Sequence, residues 1–106
     1  MSSIKTYPKK RLSIIIETPF LKRLRHILDE LEVPGYTVLP ALAGNGKSGS
    51  WNRDTQSSDA GTMVQVLIVL DESLVEEVLK AVHAVLERQI GIVSLSDIEV
   101  LRPELF

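Results

Sequence analysis

The stretch MVQVLIVLDESLVEEVLKAVHAVL (63–86) changes its hydrophobic rhythm halfway, and that change decides the fold. Its first eight residues, MVQVLIVL, are apolar and β-branched, which predicts a buried strand. From Ser73 onward Val75, Val78, Leu79, Val82, Val85 and Leu86 recur at helical spacing, predicting a helix through about Arg88. Ser73 and Glu76 have the spacing of a capping box at its start.

The same strand-then-helix order stands upstream. LSIIIE (12–17) reads as a strand, Thr18 as a helix cap and Pro19 as the first helical residue. Phe20, Leu21, Leu24, Ile27, Leu28 and Leu31 then form an apolar stripe that Pro34-Gly35 ends. A strand follows each helix. GYTVLPAL (35–42) is the first, with Pro40 requiring an edge or bulge position; the second runs from about Ile92 to Arg102. In that last strand the apolar phase shifts between Leu95 and Ile98, predicting a bulge, and Pro103 stops it. The order is βαββαβ: an α+β, ferredoxin-like single domain over 1–106, a four-stranded antiparallel sheet with two helices on one face. Because a strand alternates its side chains between faces, Ile14, Ile16, Val64, Val66 and Ile68 are not all expected to lie under two helices, which implies a second apolar sheet face and homo-oligomerisation.

Composition narrows the function. With 106 residues and 44% hydrophobic content the chain can bury a core without staples, and it has no cysteine for disulfides, thiolate chemistry or Cys-ligated zinc. Twelve Lys and Arg against fourteen Asp and Glu give a net charge of -2, so no basic field exists to grip nucleic acid. No apolar run approaches a membrane span and no signal-peptide pattern opens the chain; a soluble, cytoplasmic protein is expected.

Between the second and third strands lies AGNGKSGSWNRDTQSSDAG (43–61), rich in Gly, Ser and Asn and without apolar period, which reads as a long loop. ALAGNGKS (41–48) nearly matches a Walker phosphate loop, but Ala41 replaces the first Gly and no helix follows Lys47-Ser48. Gly44, Asn45 and Gly46 can still offer bare backbone N–H groups as an anion-holding nest, with Lys47 adding charge. Trp51 has two readings of equal weight, a partner anchor or a side chain packed back on its own subunit. His26 and His83 lie on polar helix faces without metal-ligand spacing, and the loop serines have no histidine or nucleophile-elbow setting, so neither a metal site nor catalytic residues are expected.

IIIETPF (14–20), PGYTVLP (34–40), the polar loop and IGIVSLSDIEVLR (90–102) together resemble the PII signalling superfamily. The likeness is greatest to carbon-regulating PII-like proteins associated with bicarbonate transporters and carboxysomes. It implies a non-enzymatic homotrimer that binds adenine nucleotide in inter-subunit clefts and reaches a protein target, not identified by sequence, through a T-loop, here about 43–61. Carried over by position, Thr37 meets the adenine amino group and the backbone near Met63 and Val64 its edge. Gly44, Asn45, Gly46 and Lys47 approach the phosphates, Ile90 and Gly91 form the turn before the last strand, and Arg102 reaches phosphate. Lys47-Ser48 stands where nitrogen-sensing PII proteins have Arg-Gln, so 2-oxoglutarate sensing is not expected. The shortened turn at Gly91 favours ADP or AMP over ATP, with bicarbonate as a second ligand. Two other occupants of this scaffold are weighed, an acylphosphatase-like phosphate-binding enzyme and a metal-tolerance-type trimer. The first wants an Arg loop after strand one, where ETPF stands, and the second is disfavoured by few His and no Cys.

Overall fold

The structure is a computed structural model that describes residues 4–46, 49–55, 61–87 and 91–106. In chain order it runs β1 (Tyr7–Glu17), α1 (Leu21–Glu30), β2 (Tyr36–Pro40), β3 (Ala43–Gly46), β4 (Gly49–Asn52), β5 (Met63–Leu70), α2 (Glu72–Leu86) and β6 (Gly91–Val100). Four strands form one antiparallel sheet in the order β2-β5-β1-β6, and β3 and β4 pair separately. The two strand–helix–strand units therefore interleave as expected, with β1 and β5 at the centre.

Side chains alternate along a strand, so residues two apart share a face. Leu12, Ile14 and Ile16 of β1 and Val64, Val66, Ile68 and Leu70 of β5 all fall on one face and are buried against Leu24 and Leu28 of α1 and Val75, Val78 and Val82 of α2. This corrects the expectation that alternation would divide these residues between faces: Ile14, Ile16, Val64, Val66 and Ile68 have one parity and lie together under the helices. Each such aliphatic side chain contributes about 1.5–3 kcal/mol when buried. The opposite face carries its own apolar residues, Leu39, Leu67, Ile15 and Ile92, interrupted by Gln65, whose Nε2 donates to Ser13 Oγ at 2.9 Å.

β6 is a long edge strand. Val93 and Leu95 pair with Ile14 and Leu12 and so face the helix side, yet they stay exposed along with Ile92 on the other face. The register from Tyr7↔Val100 to Ile16↔Gly91 is unbroken, so the bulge predicted between Leu95 and Ile98 is absent. The apolar phase shift instead reflects a strand whose exposed edge position enforces no strict alternation.

Three local readings change at the helix starts and in the loop. Thr18 does not cap α1: Thr18–Phe20 form a short 3-10 turn, and the Thr18 hydroxyl turns to Thr62, Oγ to Oγ at 2.7 Å. Ser73 does not cap α2, because the helix begins at Glu72 and Asp71 takes the preceding position; Ser73 Oγ donates to Asp71 Oδ2 at 3.1 Å. The segment read as an unstructured loop contains the β3–β4 hairpin and a 3-10 turn at Arg53–Thr55. The expected end of α2 at Arg88 lies outside the described residues. α1 closes with the Val33 amide bonded to Leu28 O and the Glu32 amide to Asp29 O, an arrangement that puts Glu32 at φ 56.

Candidate functional site

The register brings the loop base and the start of the last strand together. Pro40 pairs with Val64, Val64 with Ile16 and Ile16 with Gly91, so these four residues form one row across the sheet. Gly91 is tightly placed there. A Cβ on it would come 3.1 Å from Leu86 Cδ2 and 3.2 Å from Ile15 O.

Thr37 is exposed on β2 and pairs with Leu67. It is three residue steps from Pro40 and its partner Val64, about 10 Å along the strand. Val64 itself is 5% exposed and has a paired strand on each side, so its side chain is not open to a ligand. Met63 begins β5, and its carbonyl accepts from the Ala41 amide at 3.1 Å and from Arg53 Nη2 at 2.7 Å.

Gly44, Asn45 and Gly46 lie in β3, paired with Trp51, Ser50 and Gly49. Successive amides of an extended strand point in opposite directions, so the convergent nest predicted for these residues is not formed in this conformation. Gly44 has another role here: a Cβ on it would lie 2.7 Å from Trp51 Nε1. Of the two readings of Trp51, the indole packs back onto its own hairpin. Lys47 and Ile90 lie outside the described residues.

Arg102 is at the far end of the sheet. It follows Val100, which pairs with Tyr7, while Gly91 at the other end of β6 pairs with Ile16. Gly91 and Val100 are nine residue steps apart along the strand, about 30 Å. Within one chain Arg102 does not join the loop base; its Nε is 3.5 Å from Glu104 Oε1 on the surface.

Arg53 was not singled out by sequence reasoning. Its amide donates to Leu42 O at 2.8 Å, its Nε to Ala41 O at 2.9 Å and its Nη2 to Met63 O at 2.7 Å. The turn that aims it is set by Asn52, whose Oδ1 accepts from the Asp54 amide at 2.9 Å and whose carbonyl accepts from Thr55 Oγ1. The Asn-x-Asp spacing was the available signal, since Asn side chains favour such turns.

At the Arg102 end an open cleft of about 750 Å³ is lined by Lys9, Lys10, Asp71, Glu72, Asp97 and Glu99. Both of its lysines are already paired. Lys9 bonds Asp71 at 3.0 Å and also Phe106 O, and Lys10 bonds Asp97. Those hydrogen bonds from Lys9 and then Ser73, with the Lys9 charge, hold the Asp71 carboxyl below its ordinary pKa; the bond to Asp97 raises Lys10. His26 pairs with Glu30, and among the described residues no cluster of His, Asp or Glu could hold a metal. No helix among them is long and apolar enough to cross a membrane.

The family described as Nitrogen regulatory protein P-II matches residues 9–105. Among solved structures, the chain is similar to CPII, a nitrogen regulatory PII-like protein from Thiomonas intermedia K12, in a form bound to ADP, AMP and bicarbonate: 31% identity, TM-score 0.88, 98% of each chain covered. A form of CPII bound to ADP and bicarbonate gives 33% identity and TM-score 0.85 over 98% of this chain and 99% of that one. A PII-like protein of Thermus thermophilus shares the fold at 22% identity and TM-score 0.78, over 96% of this chain and 98% of that one. No curated protein matches the sequence.

Proposed function

The chain belongs to the nitrogen regulatory protein P-II family, and from that premise we propose that it is a non-enzymatic regulator that binds ADP or AMP between copies of itself and responds to bicarbonate. The observation that carries this reading is its likeness over 98% of its length to a protein solved with ADP, AMP and bicarbonate. The chain's own geometry supports it. Gly91 and the loop base share one end of the sheet and Arg102 the other, so a site using all of them needs a second copy to supply the arginine. The exposed apolar residues Ile92, Val93 and Leu95 of the edge strand, and the helix-free face with Leu39 and Ile15, are surfaces that assembly as a homotrimer covers.

In this reading Thr37 and the backbone at Met63 and Val64 receive the adenine side of the ligand. Gly44, Asn45, Gly46 and Lys47 serve the phosphates after the hairpin rearranges, Ile90 and Gly91 wall the cleft, and Arg102 of a neighbouring copy adds charge-assisted contacts to phosphate. The phosphate pattern selects the loop conformation that a target protein meets, and through it inorganic-carbon metabolism is regulated. Calorimetry with AMP, ADP, ATP and cyclic AMP, each with and without bicarbonate, tests the reading. Micromolar binding of ADP or AMP is expected; absence of binding by all four overturns it.

A further inference from the structure

The chain beyond β6 is fastened to the end of the sheet by a lysine. β6 ends at Val100, and Arg102 leads into a 3-10 turn at Pro103–Leu105, where the Leu105 amide donates to Arg102 O at 3.2 Å and the Phe106 amide to Pro103 O at 3.1 Å. Lys9 of β1 pairs with Ile98 near that strand end, and its side chain is only 10% exposed. Its Nζ donates to Asp71 Oδ1 at 3.0 Å and to Phe106 O at 3.3 Å. One ammonium thus ties β1, the residue that precedes α2 and the residue that follows the turn.

An ammonium carries three N–H donors and is costly to bury without acceptors, so the two oxygens fix where the Lys9 head sits. Apolar packing holds the turn less firmly, since Leu101 and Leu105 are 61% and 50% exposed. The Arg102 side chain is open to solvent, and its pair with Glu104 at 3.5 Å is a surface one, too weak by itself to keep the guanidinium in one place. Its direction follows from the backbone beneath it. The two turn hydrogen bonds link Arg102 to Phe106, so fastening Phe106 fastens the segment from which the guanidinium projects.

We infer that Lys9 is a positioning residue for phosphate recognition: by clasping Phe106 O and Asp71 it holds the turn that follows Arg102, and so aims the guanidinium at the phosphates of a nucleotide bound against a neighbouring copy. The inference rests on the nucleotide reading above and deepens it, giving a role to a residue that acts through Arg102 and not on the ligand. Hydrogen bonds to phosphate weaken steeply as distance and angle depart from their optimum, so a guanidinium on a loosened turn loses them. Adenine, received by Thr37 and β5 of the other copy, does not depend on the turn. The effect of Lys9 is therefore confined to ligands that carry phosphate.

The test uses the full chain as wild type, Lys9→Met, Arg102→Ala and the double variant, with calorimetry on ADP and on adenosine. Lys9→Met keeps an apolar stem and removes the donors. It is expected to weaken ADP binding about fivefold or more and to leave adenosine binding unchanged. In the Arg102→Ala background the same change is expected to alter ADP binding by less than about twofold, because the group it positions is gone. Amide hydrogen exchange at Leu105 and Phe106 reads the turn itself and is expected to quicken about tenfold in Lys9→Met, with core amides of β1 unchanged. Equal ADP affinity in Lys9→Met and wild type, an equal loss for adenosine, the same loss with and without Arg102, or unchanged exchange in the turn would each overturn the inference. If Lys9→Met does not fold, Asp71→Asn loosens the clasp from its 56% exposed side and is expected to give the same pattern at smaller size. Wild type that binds no ADP overturns the nucleotide reading and this inference together, a result distinct from wild type and Lys9→Met binding equally.

Discussion

Gly91 and Arg102 sit at opposite ends of one edge strand, the first paired with Ile16 beside the loop base, the second two residues past the Tyr7↔Val100 pair. About 30 Å of strand keeps them from serving one ligand in one chain. Any site that joins them is built by two copies.

Breaking the assembly is therefore expected to abolish nucleotide binding while the fold survives. Ile92 is 63% exposed in the single chain, so Ile92→Asp costs the monomer little and opposes burial against a neighbour. Sedimentation is expected to show smaller species, calorimetry no ADP binding, and circular dichroism an unchanged fold. Full ADP affinity in a monomeric variant contradicts the account.

Glycine substitutions separate crowded positions from open ones. Gly91→Ala forces a methyl against Ile15 O and Leu86 and is expected to destabilise by about 1–3 kcal/mol. Gly35→Ala has open space around its Cβ and is expected to change stability by no more than about 1 kcal/mol, in the stabilising direction. Urea midpoints compare the two.

Gly44→Ala drives a methyl to the edge of the Trp51 indole. The indole is expected to swing outward, red-shifting its emission and raising acrylamide quenching, with the urea midpoint of the main domain nearly unchanged. An unaltered spectrum means that the indole does not rest on Gly44.

Glu32 follows α1 at φ 56, a conformation that costs an L-residue about 1 kcal/mol and a glycine little. Glu32→Gly is expected to stabilise by up to that amount, offset in part by glycine's greater freedom when unfolded. Thermal melts check the sign.

Asp71 gives a pH dependence. Its carboxyl is held below the ordinary value by hydrogen bonds from Lys9 and then Ser73, and by the Lys9 charge. A depressed folded-state pKa stabilises above the unfolded value, and that stability is lost as pH falls through the folded one. Asp71→Asn is expected to be less stable than wild type at neutral pH and to converge with it as the pH falls through and below the ordinary carboxylate range. Urea unfolding at both ends of that range decides, and added salt shrinks the gap because the Asp71 side of the pair is solvent-exposed.

Period and parity made the main sheet and both helices legible in the sequence, since burial under α1 and α2 imposes a strict alternation on β1 and β5. Where that constraint weakens, the reading weakens. The edge strand β6 is exposed on both faces at Ile92, Val93 and Leu95, so its pattern suggested a bulge that is absent. The β3–β4 hairpin has glycines where apolar side chains would mark a strand, and is held by one arginine whose partners are backbone carbonyls, which no side-chain pattern announces. Thr18 and Ser73 looked like caps, but each found a partner other than a helix amide. Of the candidate site, register puts Gly91 and the loop base at one end of the sheet, while Arg102 lies at the other.

The most direct measurement is a crystal structure of the protein grown with ADP and bicarbonate. The account predicts ADP between two copies, its phosphates within hydrogen-bond distance of Arg102 from one copy and its cleft walled by Gly91 and the loop base of the other. ADP held wholly within one copy, or phosphates remote from Arg102, would contradict it.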